Sequence, residues 1–151
     1  FEGIQAVYPE LTRYLAGSPY EALFISVESA IEVGGTVFEP REVRFLRRLV
    51  RDYKFRATDA ENTYTIWQSV LDNENGHIYP NIAPDVTRID SALAYEVQVI
   101  KPFVLEVLDT LPPDSRFAVD AAALRAKLAP IAPIPADLVP KNSVFREFIG
   151  N

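Results

Sequence analysis

The chain has 151 residues, of which 48% are hydrophobic and 24% charged, and its formal net charge at pH 7 is −6. This composition is typical of one soluble domain with a real core and excludes a disordered chain. The sequence has no Cys and a single His, so disulfides, thiol catalysis and multi-histidine metal sites are also excluded. No apolar run approaches the roughly 20 residues of a membrane span and no signal-peptide pattern opens the chain, so we expect a cytoplasmic location.

The first forty residues predict one short helix and several short strands. Residues 1–4 indicate the end of a strand that turns at Gly3, and residues 9–15 predict a short helix. The compact apolar run at residues 22–27 is typical of a buried strand in a parallel sheet. Residues 28–38 carry a pair of glycines between β-type residues, which predicts a small hairpin.

The remainder of the chain predicts mainly helices. Pro40 suits the first turn of a basic helix, and Thr58 or Asp59 can cap a second helix at residues 60–71 that ends in a turn at 72–76. Further along, the pattern predicts a strand at 86–89 and, at 95–111, either a strand followed by a helix or one kinked helix. It then predicts a helix at 118–128, an extended proline-rich surface connector at 129–140 and a last short helix at 143–149. Because the sequence starts at Phe1 and contains no Met, we expect a fragment of a longer protein, folded as a single domain over residues 1–151.

Positive charge is concentrated in residues 41–56, which hold seven of the fifteen Lys and Arg residues and two acidic ones, a local charge of +5. At about 100° per residue, four arginines share one helix face and the apolar side chains occupy the opposite face. The four are Arg44, Arg47, Arg48 and Arg51, and the apolar face holds Val43, Leu46, Leu49, Val50 and Tyr53. Guanidinium groups grip phosphate through paired N–H bonds, so this pattern favours an anionic ligand. A solvated helix whose cations meet carboxylates elsewhere explains the same pattern.

Five blocks of sequence, in order, resemble the uridine kinase and phosphoribulokinase family of P-loop kinases. The basic stretch RFLRRLVRDYKFR at 44–56 is similar to the family's RLxRRxxRDxxxRG segment. FEGIQA at 1–6 resembles its EGIHAL strand end, and WQSV at 67–70 with IYP at 78–80 resembles its WPSV and IFP. SALAYEVQVIKP at 91–102 and NSVFREFIG at 142–150 resemble blocks typical of the long bacterial uridine-kinase-like proteins.

The resemblance implies an α/β fold that is part of a P-loop kinase, with a parallel sheet flanked by helices and an Arg-rich helical lid at about residues 40–72. It assigns Arg48, Arg51 and Arg56 to catalysis, as lid arginines over the transferred phosphoryl group, and Arg47 and Arg51 to nucleotide binding. Glu2 matches an acidic residue that helps to place Mg²⁺, and a plain loop carboxylate is the alternative. The implied cofactors are ATP and Mg²⁺, with a nucleoside-like substrate. Asp52 is expected to orient neighbouring arginines.

The sequence also departs from the family. It contains no GxxxxGK[ST], the loop that cradles phosphates in P-loop kinases, so the chain corresponds to the C-terminal part of the kinase domain. Ala57 stands where the family has Gly, and Leu71 to Asn73 replace a basic stretch. His77 is expected at the surface or in packing. Trp67, Tyr64 and Tyr79 either fill the core or stack on a base.

Three hypotheses follow. The first is half of an ATP-dependent nucleoside kinase, and the second is a kinase-derived domain that binds nucleotide or another phosphorylated metabolite without turnover. The third, RNA binding by the Arg helix, ranks last because its aromatic residues lie on the apolar face. The charge outside residues 41–56 is −11, so we expect neither nucleic-acid nor membrane partners, and a homo-oligomer stays open.

Overall fold

A computed structural model of the chain describes residues 2–15 and 17–150. Within these ranges the architecture is α/β, with six α-helices, four short strands and several 3₁₀ turns. The helices are α1 (Pro9–Thr12), α2 (Pro40–Arg56), α3 (Ala60–Asn73), α4 (Glu96–Asp109), α5 (Ala118–Leu128) and α6 (Arg146–Ile149). The strands are β1 (Leu23–Ser26), β2 (Ile31–Val33), β3 (Thr36–Phe38) and β4 (Thr87–Asp90). None of the helices in the described part of the chain is both long and apolar enough to cross a bilayer.

The strands form two separate two-stranded sheets. β1 and β4 pair in parallel with Leu23 opposite Thr87, while β2 and β3 form the predicted antiparallel hairpin. Gly34 and Gly35 join β2 to β3 with φ angles of 58° and 72°, a left-handed pair that glycine adopts without steric cost. The hairpin prediction is therefore confirmed.

Helix α2 lies in the middle of the core. Its start is fixed by Pro40 in the first turn and by a capping box in which Glu39 and Glu42 each accept from the other's backbone N–H. It packs mainly against α4, with α6 and α3 on its flanks. Leu49 and Val50 are fully buried, and burial of side chains of this size contributes about 1.5–3 kcal/mol each.

The position of α2 corrects two predictions. A lid at residues 40–72 would project from the domain, but α2 is its central helix. The predicted arginine face is also not uniformly outward, because Arg47 is buried, and Phe45 joins the apolar side. Tyr53 of that side is only partly buried.

The parallel sheet differs from the predicted one. We expected a buried strand at 22–27 and a sheet flanked by helices, but Leu23 and Ile25 are 58% and 62% exposed and all four residues of β4 are exposed. The helices instead pack mainly against one another.

Element boundaries account for the other differences. Phe1 lies outside the described residues, and residues 2–4 form no strand but lead into a 3₁₀ turn at Ile4–Val7. α3, capped by Asp59, passes into a π-helical turn at Glu74–Ile78 where a loop was expected. The predicted segment 95–111 contains one helix, α4 (Glu96–Asp109), with Pro102 inside it.

The last third of the chain follows its prediction closely. The bounds of α5 are the predicted ones, and α6 is shorter than expected. The proline-rich connector is not purely a surface segment, because Ile131 and Val139 are buried in the core.

Candidate functional site: an arginine-lined cavity

A cavity of about 790 Å³ lies on the side of α2 that faces α3, α6 and the parallel sheet. Ser26 at the carboxyl end of β1, and Ser91 just after β4, contribute hydroxyls to its wall. In α/β proteins ligands commonly bind outside the carboxyl ends of parallel strands. The cavity is also within the volume range of small-molecule sites.

Five arginines line this cavity, and all of them come from α2. They are Arg44, Arg47, Arg48, Arg51 and Arg56. The walls are otherwise largely apolar and aromatic. These side chains include Ile4, Phe24, Ile25, Ile66, Trp67, Val70, Ile78, Tyr79, Val144 and Phe148. The structure therefore brings together every arginine that the sequence assigned to catalysis or nucleotide binding.

Arg47 is committed to a structural ion pair. Its Nε and Nη2 donate to the Glu96 carboxylate at 2.6 and 2.9 Å, and Nη1 and Nη2 donate to Ser91 Oγ at 3.1 Å and the Ser91 carbonyl at 2.6 Å. The two side chains are 9% and 1% exposed. Sequence reasoning kept Arg47 as a solvated or nucleotide-binding residue. In the structure its polar N–H groups join α2 to α4.

Arg44 is also engaged in an ion pair, three residues before Arg47 on α2. It forms a two-pronged pair with Glu74, and its Nη1 donates to Tyr79 Oη at 3.1 Å. Partial burial opposes the charged form, but the hydrogen bonds and charge of Glu74 outweigh it and raise the pKa of Arg44 above its ordinary value. Arg44 therefore shapes the wall, with both of its terminal nitrogens occupied.

Arg48, Arg51 and Arg56 share one buried carboxylate, that of Asp52. Arg48 Nε lies 3.1 Å from Asp52 Oδ2, Arg56 Nη1 donates to Oδ1 at 3.2 Å, and Arg51 Nε lies 4.0 Å from Oδ1. The Asp52 side chain is 2% exposed. The prediction that Asp52 orients its neighbouring arginines is confirmed.

The sharing leaves two of these guanidiniums incompletely satisfied. Arg48 Nε and Arg51 Nε are both buried without a hydrogen bond among the described residues. Arg48 Nε is close to Asp52 but poorly aligned with it, whereas Arg51 Nε, at 4.0 Å, is too far from it. Arg51 Nη1 donates to Glu147 at 3.2 Å, and the Glu147 side chain is 58% exposed. Three cations thus face two carboxylates, one of them exposed, which is an excess of one positive charge.

The predicted metal residue does not complete a magnesium site. Glu2 is exposed, two residues before Ile4 in the cavity wall. No group of three His, Asp or Glu side chains that could hold a metal ion occurs in residues 2–15 and 17–150. The described residues do not fit a protein-bound Mg²⁺.

The aromatic predictions divide between packing and the cavity. Tyr64 stacks on Phe117 with ring centroids 5.1 Å apart and contacts Phe45 at 4.8 Å, as expected for a packing residue. Trp67 packs on Phe45 at 5.3 Å and also lines the cavity, so stacking on a base stays open for it. His77 is exposed, which confirms its surface assignment.

Three residues important to the site were missed in the sequence. Glu96 had one signal, a carboxylate between the apolar side chains at the start of α4. Glu74 and Glu147 carried none, because each meets its arginine only through the tertiary fold, 30 and 96 residues away along the chain.

Ala57 occupies the position where the resembled segment has Gly. Its φ and ψ of 50° and 34° are left-handed, the conformation that glycine favours after the end of a helix. The backbone at this position is therefore of the glycine type although the side chain is not.

Comparison of the chain with known protein families, characterised proteins and solved structures gives no match in any of the three. The kinase resemblance stays a prediction from the five sequence blocks.

Proposed function

We propose that this chain is the arginine-bearing part of a uridine-kinase-like, ATP-dependent phosphotransferase, and that its cavity binds the phosphate groups of a nucleotide. The observation that carries the proposal is the sharing of Asp52 by Arg48, Arg51 and Arg56. Their excess positive charge and the two buried Nε–H groups without partners favour an anion with several acceptor oxygens. Hydrogen bonds to charged groups contribute about 1.5–3 kcal/mol each.

In the proposed reaction a hydroxyl of a nucleoside-like substrate attacks the γ-phosphate of ATP. Phosphoryl transfer depends mainly on positioning and on neutralising charge spread over the phosphate oxygens, and a fixed set of guanidiniums supplies both. Arg48, Arg51 and Arg56 take that role. Arg47 serves indirectly by anchoring α2. The apolar and aromatic walls are of the kind that accommodates a nucleoside.

A second candidate is a kinase-derived domain that binds a nucleotide or another phosphorylated metabolite without turnover. The altered stretch from Ala57 to Asn73 favours it for this chain, because Asp72 stands where the resembled family has a basic residue. The two candidates share phosphate binding and differ in turnover.

Phosphate binding is tested by titrating the chain calorimetrically with ATP and with pyrophosphate at low salt. We expect Arg48→Gln and Arg56→Gln each to weaken binding by about tenfold, since each removes one charged donor. Arg88→Gln is the matched control, because Arg88 pairs with Glu28 outside the cavity. Equal weakening by all three variants, or no binding by the unsubstituted chain, contradicts the proposal.

Turnover is tested in the longer protein, if the reading frame before Phe1 encodes GxxxxGK[ST]. Nucleoside phosphorylation by ATP is expected there, and Arg51→Ala or Arg56→Ala should lower the rate by about 10² without unfolding the protein. An unchanged rate removes the catalytic assignment. Phosphate binding without any turnover favours the second candidate.

A further inference from the structure

Helix α6 lies directly over the arginine cluster. Its Glu147 accepts from Arg51, and the ring of its Phe148 lies under the guanidinium groups of Arg47 and Arg51, at 5.0 and 5.7 Å from the ring centroid. Lys54 Nζ donates to the carbonyl of Ile149 at 2.6 Å. The helix thus touches α2 at several points along the cavity rim.

Helix α6 is held by buried side chains and hydrogen bonds, whereas its Glu147 side chain is exposed and weakly held. Phe145 and Ile149 are 0% and 3% exposed, and Arg146 donates to the carbonyls of Ala136 and Val139. Glu147, by contrast, holds Arg51 through one hydrogen bond from a side chain that is 58% exposed. Exposed ion pairs of this kind contribute about 0–1 kcal/mol, so the carboxylate can swing away while the helix stays docked.

Glu147 is the weakest carboxylate partner in the cavity wall. Glu74 is only 12% exposed and holds Arg44 through both of its oxygens. Asp52 is buried beneath the arginines. An anion that enters the cavity can therefore displace the Glu147 carboxylate from the Arg51 guanidinium more easily than it can displace Glu74 or Asp52 from their arginines.

We propose that Glu147 is a built-in competitor for phosphate, which occupies Arg51 until a nucleotide phosphate displaces it. The inference rests on the phosphate site proposed above and adds its regulation. A phosphate group carries more charge than a carboxylate and reaches Arg48 and Arg56 at the same time, so it wins the exchange. The competitor lowers the affinity of every anion that displaces it, so that only multiply charged phosphates, which bind the arginines most strongly, occupy the site.

The test compares Glu147→Gln with the unsubstituted chain in calorimetric titrations with pyrophosphate. We expect Glu147→Gln to bind pyrophosphate about fivefold more tightly, the gain from losing an exposed competing ion pair. Glu28→Gln is the matched control, since it changes the net charge equally but its partner Arg88 is outside the cavity. That control should change affinity less than twofold. Urea unfolding of both variants verifies that they stay folded.

Each outcome has one meaning. Equal affinity of Glu147→Gln and the unsubstituted chain overturns the competitor and leaves the phosphate site standing. Weaker binding by Glu147→Gln also overturns it, because Glu147 then holds Arg51 in place for the ligand. Equal tightening by both variants points to overall charge alone and overturns it as well. Absence of pyrophosphate binding in every variant overturns the phosphate site and the competitor together.

Discussion

Removal of one partner from the buried Arg47–Glu96 pair is the most informative perturbation of the fold. Arg47→Met deletes four hydrogen bonds and leaves the Glu96 carboxylate, 1% exposed, without its counter-charge. Glu96→Gln leaves a buried guanidinium, although the carbonyl and hydroxyl of Ser91 still accept from it. The methionine side chain approximates the length of the arginine stem, so little cavity is created.

The expected cost is large for each single variant and much smaller than additive for the double variant. An uncompensated buried charge costs about 3–5 kcal/mol, whereas replacement of both charged partners is often close to neutral. Glu96 also accepts from the N–H of Leu93 at 2.9 Å, a hydrogen bond of about 1 kcal/mol that the glutamine oxygen retains. We therefore expect the double variant to be no more than about 2 kcal/mol less stable than the unsubstituted chain.

Urea unfolding followed by circular dichroism measures the free energy of unfolding of the unsubstituted chain, the two single variants and the double variant. At this chain length 1 kcal/mol corresponds to about 2–4 °C in Tm, so in thermal unfolding each single variant should melt about 6–20 °C lower. A loss below about 1 kcal/mol in either single variant, or strict additivity in the double variant, would refute the conclusion that this pair is buried and coupled.

Three smaller predictions test individual residues. Asp90 accepts the backbone N–H groups of Glu28, Ser29 and Ala92, which lowers its pKa from 3.8 to about 2. Its stabilisation is present above its unfolded pKa and is lost as the pH falls from about 4 to 2, so the stability difference from Asp90→Asn should shrink over that window, and a constant difference would contradict this. Burial raises the pKa of Tyr64 to about 12, and its hydroxyl has no hydrogen bond among the described residues. Tyr64→Phe should therefore leave thermal stability unchanged or raise it. A loss above about 1 kcal/mol would show that the hydroxyl has a hydrogen-bond partner. Ala57→Gly should stabilise the protein by about 0.5–1 kcal/mol, because the φ of Ala57 is 50°. The control Ala122→Gly, at an exposed position within α5, should destabilise the protein by a similar amount. A loss of stability in Ala57→Gly would disprove the left-handed assignment.

Much of the secondary structure was predictable because its signals are local. Pro40 and Asp59 mark the starts of α2 and α3, and the paired glycines mark the hairpin. The apolar periodicity of α2 identified Leu46, Leu49 and Val50 as core residues. Boundaries failed where no local signal exists, as in the π-helical turn that continues α3.

The environment of the charges was not predictable from the same signals. The helical pattern places Arg47 beside Arg44 and Arg51, and nothing within the helix shows that it meets a carboxylate 49 residues away. An apolar run likewise predicts a buried strand, but it does not show which element would cover that strand. In β1 this prediction fails, because Ile25 is exposed. The arginine cluster and its shared partner Asp52 were predicted, whereas the partners Glu74, Glu96 and Glu147 were not.

The burial of α2 changes how the proposed site would operate. A mobile lid gathers its arginines only on closure, but Leu49 and Val50 are fully buried, so moving α2 as a unit would expose several core side chains at about 1.5–3 kcal/mol each. The arginines are therefore held in place before any ligand arrives, by Asp52 beneath them and by the Arg47–Glu96 pair beside them. Charge stabilisation by groups that are already in position needs no reorganisation during the reaction, which makes a rigid α2 an alternative to lid closure. Movement on binding then falls to the exposed Glu147 side chain.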